Sequence, residues 1–212
     1  MKRRDLLKGI VFASPAAIGV QFLTPAAALA AEGGGGFSGP VDIFNYLRTL
    51  QHLKSEFFRQ GNGANLLSGP EADYLRNIGE DDDSLLALYT QKVNELDGEL
   101  TAAPAVAFGD AFRSRESYLT MAFDLCNCCM QGYLGACPPL LPERDLLQPV
   151  LGGYGVQARH ASLVAYVAGR PAAGGIFKGP TEVAMPRERI LGDLAPLFAD
   201  SSAAAAGAAR TE

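Results

Sequence analysis

A cluster of cysteines and one histidine carry the chemistry that residue type alone suggests for this chain. Cys126 and Cys129 stand at i and i+3, which on a helix puts both thiols on one face; Cys128 sits beside them, with Met121 and Met130 nearby. His160 lies on a later segment that could face them. Thiolates with an imidazole suit copper(I) or zinc, so Cys126, Cys129 and His160 are the candidate metal ligands. The same atoms have plainer uses. A buried free cysteine packs as a small apolar residue. Four cysteines in an oxidising compartment also admit disulfides, for example Cys128 or Cys129 with Cys137, a pairing that spacing does not decide. His52 reads as a surface or half-buried helix residue. Ser114 and Ser117 have no paired base near them, and neither Gly33 to Gly36 nor Gly152-Gly153 has the Lys-Ser/Thr or strand context of a phosphate loop. Hydrolase and nucleotide-binding chemistry therefore find no support.

Helices must position these side chains, because the apolar residues recur at helical spacing. From Val41 to Gln60 the stripe is Ile43, Phe44, Leu47, Leu50, Leu53 and Phe57, ended by Gly61 and Gly63. The acidic run Glu80 to Asp83 with Ser84 predicts the start of a second helix, since carboxylates favour the positive end of a helix dipole. That helix carries Leu85, Leu86, Tyr89, Val93, Leu96 and Leu100 up to the break at Ala102-Ala103-Pro104. A third is expected from about Phe112 to Gly135, with Tyr118, Leu119, Ala122, Leu125, Cys129 and Tyr133 inward and Pro138-Pro139 as the stop. A fourth, from about Leu146 to Ala168, presents Val150, Tyr154, Leu163, Val164 and Val167, and ends at Gly169 and Pro171. A last short helix, from about Pro186 to Phe198, caps the set. With no alternating β-branched runs and no hairpin turns, the fold class is all-α, a four-helix bundle with a short C-terminal helix.

Composition fits one folded domain with tails: 212 residues, 48% apolar and 19% charged. The net charge of −5 and the lack of a Lys/Arg run beyond the first ten residues argue against nucleic-acid binding. Lys2, Arg3 and Arg4, the apolar stretch Gly9 to Leu23, and Ala28-Leu29-Ala30 read as a twin-arginine (Tat) signal peptide over residues 1–30. Ser14, Pro15, Gln21 and Pro25 interrupt that stretch, so no stable membrane insertion is expected once the signal is cleaved. Export to the periplasm or the extracellular space follows, and losing four basic and one acidic residue takes the charge from −5 to −8. Residues 31–40 read as a Gly-rich linker that buries nothing, residues 41–200 as the bundle and residues 201–212 as a disordered tail.

Four stretches, Leu50 to Phe58, Phe108 to Phe112 leading to Tyr118-Leu119, Tyr133 to Ala136, and Gln157 to Ala161, resemble the ferritin-like domain family found in exported bacterial proteins and plant desiccation-related proteins. The resemblance implies a ferritin-like four-helix bundle, whose iron-binding members hold two metals with Glu from two helices and Glu-x-x-His from the other two. Iron needs anionic oxygen ligands. On this chain the first-helix glutamate position falls on Gln51, the second-helix pair on Tyr89 and Lys92, the third-helix glutamate on Cys126, and the fourth-helix pair on Gln157 and His160. The resemblance thus implies a degenerate di-iron site in which His160 alone is unchanged and Lys92 would repel a cation. Gln51, Tyr89, Lys92, Gln157 and His160 are then expected to hydrogen-bond one another as a structural remnant. If the second helix sits in another register, Asp83, Glu95, Asp97 or Glu99 could offer a carboxylate, and Glu56 and Asp124 lie near ligand positions. The leading expectation is a non-catalytic structural, stress-related or partner-binding protein without a cofactor, acting with a protein partner or as a homo-oligomer. The alternative is a redox or metal-handling protein binding iron, or copper or zinc through cysteine and histidine.

Overall fold

In the computed structural model residues 36–199 are described. The expected signal peptide at 1–30, residues 31–35 of the linker and the tail at 201–212 lie outside the described residues. Helix α1 runs Pro40–Gly63, α2 Gly69–Glu95, α3 Arg115–Ala136, α4 Arg144–Val167 and α5 Arg187–Leu194. Short 3-10 turns follow α3 at Pro138–Leu140 and α5 at Ala195–Leu197. The described part is an all-helical bundle, as the apolar periodicity requires.

Helices α1 and α2 pack along each other across the short link 64–68, as α3 and α4 do across 137–143. Links that short make such neighbours antiparallel. The connection 96–114 instead crosses between the two pairs. An isolated antiparallel bridge between Val106 and Phe198 holds it, with Ala107 N–H donating to the Leu197 carbonyl and Ala199 N–H to that of Ala105, both at 2.9 Å. Phe108 and Phe112 of the crossover join Phe57 and Tyr118 in an aromatic cluster, with ring centroids 5.2 to 5.3 Å from Phe57. Phe57, Phe108 and Tyr118 are buried and Phe112 partly so; buried rings of this kind contribute roughly 1.5–3 kcal/mol each. They fix one end of the bundle.

The residues expected to face inward on α1, Ile43, Phe44, Leu47, Leu50, Leu53 and Phe57, are all buried. On α3, Ser114 and Ser117 form a reciprocal capping box at the helix start, which accounts for two hydroxyls without a catalytic partner. Helix α4 tolerates Pro149 in its second turn, and the Pro149 carbonyl accepts a hydrogen bond from the Tyr89 hydroxyl at 3.3 Å. Gly153 makes room there, because a Cβ at that position would strike the Tyr89 hydroxyl and the Tyr133 ring.

Helix α2 departs from its expected limits at both ends. It begins at Gly69, with Ser68 at the N-cap position, Pro70 in the first turn and Glu71 as the acidic residue there, so Glu80 to Ser84 lie mid-helix. Its inward stripe is Leu75, Ile78, Asp82, Leu85, Tyr89 and Val93, and Asp82 is turned into the core. It ends at Glu95 instead of running to Leu100, because Asp97 adopts φ 51° and closes a Schellman motif: Gly98 N–H donates to Val93 at 2.9 Å and Asp97 N–H to Asn94 at 3.0 Å. The linker also differs from expectation at its end. Phe37 packs on Tyr46 at 5.3 Å between centroids, and Arg187 stacks over both rings while its Nη1 bonds both Asp42 carboxylate oxygens at 2.8 Å.

Candidate functional site

The centre of the bundle is polar. Among the described residues the buried polar or charged side chains are Gln51, Lys54, Asp82, Asn127, Gln157 and His160. All but Asn127 meet in one network drawn from α1, α2 and α4. Gln51 and Lys54 stand one turn apart on α1, on the stripe that also carries Leu50, Leu53 and Phe57. Asp82 enters from α2, and Gln157 and His160 stand at i and i+3 on α4.

Asp82 Oδ1 is the hub. It accepts from Gln51 Nε2 at 3.2 Å, from Lys54 Nζ at 3.1 Å and from Gln157 Nε2 at 3.0 Å. Lys54 Nζ also donates to Gln157 Oε1, and Gln157 Nε2 lies 3.4 Å from Gln51 Oε1. Both charged side chains of the Lys54–Asp82 pair are 0% exposed. Burial by itself would lower the Lys54 pKa, but the Asp82 carboxylate beside it raises it above the ordinary lysine value. Lys54 is an ammonium, and it neutralises the one carboxylate in this network.

Cys126 and Cys129 of α3 are fully buried beside this ammonium. Burial pushes the Cys126 thiol up to about 11, against the opposing pull of Lys54, and raises Cys129 well above the ordinary range. Both are protonated thiols near neutral pH, not thiolates. Cys128 and Cys137 are likewise free, so the four cysteines form no disulfide. The Cys137 Sγ–H donates instead to the Tyr133 carbonyl at 3.3 Å.

His160 is the network's edge toward solvent. Its Nε2 lies 3.0 Å from Oδ2 of Asp81, whose side chain is 61% exposed, and its Nδ1 lies 3.7 Å from Asp82 Oδ1. Burial first, and then the Lys54 charge, hold the His160 pKa below 6.5, while Asp82 and Asp81 pull the other way.

Of the residues singled out from the sequence, the structure brings together Gln51, Cys126, Cys129, Gln157 and His160. Tyr89 lies two turns further along α2, packed on Phe44 and Tyr133. Lys92 is half-buried away from this network and pairs with Glu95 at 2.6 Å. His52 is half-buried, its ring Nε2 3.0 Å from the Pro104 carbonyl. Glu56 binds Arg59, and Asp83 bonds Ser55 at the surface. Sequence reasoning missed Lys54 and Asp82. Lys54 falls on the apolar stripe of α1, and Asp82 falls four residues after Ile78 and three before Leu85. Those spacings were the available signal. Among the described residues no three His, Cys, Asp or Glu side chains converge closely enough to hold a metal ion.

Comparison with known families and proteins gives one match. A family model described as the ferritin-like domain covers residues 39–170. No curated protein matches the chain.

Removing one partner of a buried ion pair strands the other charge, at about 3–5 kcal/mol. Lys54→Met and Asp82→Asn should each lower the unfolding free energy by that order, and the double variant should recover most of the loss. Denaturant unfolding of the four proteins checks this, and simple additivity of the two losses would reject the pair as the network's hub. The His160 shift has a definite sign. Its pKa is lowered on folding, so below pH 6.5 the unfolded chain binds the proton more readily than the native one. The stability associated with neutral His160 is full above that pH and is lost as the pH falls below it. His160→Gln should flatten the stability profile in that window, and an unchanged slope would contradict the assignment.

Proposed function

The chain belongs to the ferritin-like domain family, and from that premise we propose that it is an exported, non-catalytic bundle whose metal position is degenerate. In this reading a buried ion pair, Lys54 with Asp82, takes the role that a metal and its carboxylates play in iron-binding members. The protein then acts as a structural, stress-related or partner-binding scaffold, with a protein partner or with further copies of itself.

One observation carries the reading: the charge at the centre of the bundle comes from a lysine. The residues present do not fit a di-iron group. Two ferric or ferrous ions need several anionic oxygens, whereas Asp82 alone supplies one, and Lys54 already neutralises it. Gln51 and Gln157 are neutral amides engaged in the same network. A further metal ion would stand beside a buried ammonium, and the nearest remaining carboxylate, Asp81, is 61% exposed and turned to His160 Nε2.

The competing reading, a copper or zinc site, draws what support it has from Cys126 and Cys129, which are buried beside Lys54. Against it, the two thiols are held protonated by burial and Lys54 stands among them. The export part of the proposal rests on the twin-arginine pattern around Arg3 and Arg4.

The test is metal analysis of the exported protein, purified without chelators or metal-affinity resin, together with its melting temperature before and after chelation. Far less than one equivalent of iron, copper or zinc and an unmoved melting temperature are expected. Near-stoichiometric metal would overturn the reading. In the same host, replacing Arg3 and Arg4 by lysine should leave the protein in the cytoplasm, and continued export would remove the localisation.

A further inference from the structure

The central network has a surplus of acceptors. Among the described residues Asp82 Oδ2 and His160 Nδ1 are buried and have no hydrogen-bond partner, although their side chains are 0% and 6% exposed. Both atoms are acceptors. Asp82 is the carboxylate that neutralises Lys54, and all three of its donors, Gln51, Lys54 and Gln157, go to Oδ1. His160 faces the exposed Asp81 carboxylate through Nε2, so the ring proton resides there and Nδ1 keeps its lone pair. Two acceptors cannot bond each other; Nδ1 stands 3.7 Å from Asp82 Oδ1, so the two orphan atoms belong to adjoining side chains, and a single donor in the space beside both would reach them. Left unpaired, each would cost about 1–3 kcal/mol.

We propose that this space binds one small neutral molecule with two protons to give, a water, which donates to Asp82 Oδ2 and to His160 Nδ1. A native buried polar group is ordinarily satisfied by protein or by ordered water, and a water needs at least two polar partners in such a place. Charge decides against a cation. Lys54 already balances Asp82, so a metal ion bound to the same two lone pairs would bring uncompensated positive charge into the core. The inference rests on the scaffold reading above, and it gives the centre of the bundle a ligand class that the reading leaves open. With the water in place, a continuous hydrogen-bonded path runs from Lys54 through Asp82, the water and His160 to Asp81 at the surface. The core ion pair is thereby connected to solvent through His160.

A crystal structure of the wild-type protein at a resolution that places single waters, with anomalous data at the iron, copper and zinc edges, tests this directly. One isolated density peak within hydrogen-bond distance of both Asp82 Oδ2 and His160 Nδ1, without anomalous signal, is expected. In solution, magnetic relaxation dispersion should count one more long-lived water in the wild type than in His160→Leu. Two results overturn the inference in different ways. A dry gap, with Asp82 Oδ2 taken by the Tyr133 hydroxyl or the Cys126 thiol and no change in the water count, removes the water site and leaves the scaffold reading standing. An anomalous peak between the two atoms removes both.

Discussion

A full positive charge with no access to solvent must find an opposite charge within hydrogen-bonding reach, and the rest of this structure is arranged around meeting that demand for Lys54. Lys54 projects from α1 among Leu50, Leu53, Phe57 and Phe58, where any other position of its ammonium would be dry and unpaired. Asp82 must therefore enter from α2 at one register only. Because α2 carries Asp82 on the same stripe as Leu75, Ile78, Leu85 and Tyr89, a slip by one residue would strand both charges and misplace the apolar side chains together. Such a pair adds little net stability over an apolar one. Its contribution is specificity: it fixes α1 against α2, and through Gln157 it fixes both against α4.

The remaining features hold that centre in place. The Schellman motif at Asp97 and Gly98 stops α2 and starts the crossover, which Phe108 and Phe112 then pin to Phe57 at one end of the bundle. At the other end Arg187 of α5, wedged over Phe37 and Tyr46 and bonded to Asp42, ties the C-terminal helix to the start of α1. Beside the polar centre, Gly153 lets α4 close over Tyr89 and Tyr133. The result is a core whose ionisable groups are each held in one protonation state near neutral pH: ammonium for Lys54, neutral thiol for Cys126 and Cys129, and imidazole for His160. None of these states is that of a free metal ligand of the hard, anionic kind.

Much of this fold was legible because helical periodicity is a property of consecutive side chains. The stripes of α1, α3 and α4, and the proline and glycine stops after α3 and α4, needed no knowledge of partners. The start of α2 did. Its acidic run reads as a helix beginning when taken alone, and only Lys54, distant in sequence, explains why one of those carboxylates turns inward. The same long-range dependence hid the site. Aligning Tyr89 and Lys92 with a metal-binding pair treated the lysine as the intruding charge on α2, whereas the intruding lysine is on α1. Gln51, Gln157 and His160 were singled out from the resemblance, and all three belong to the network. Which cation they would meet depends on a side chain that such a resemblance does not constrain.

The scaffold proposal turns on whether an ammonium or a metal supplies the positive charge at the middle of the bundle. Nitrogen-15 NMR of the Lys54 Nζ group measures this directly in the folded protein. A slowly exchanging ammonium signal at neutral pH, coupled to the Asp82 carboxylate and persisting when the pH passes the ordinary lysine value of 10.5, is expected. A Lys54 amine that exchanges as fast as surface lysines, or that titrates at or below that value, would contradict it.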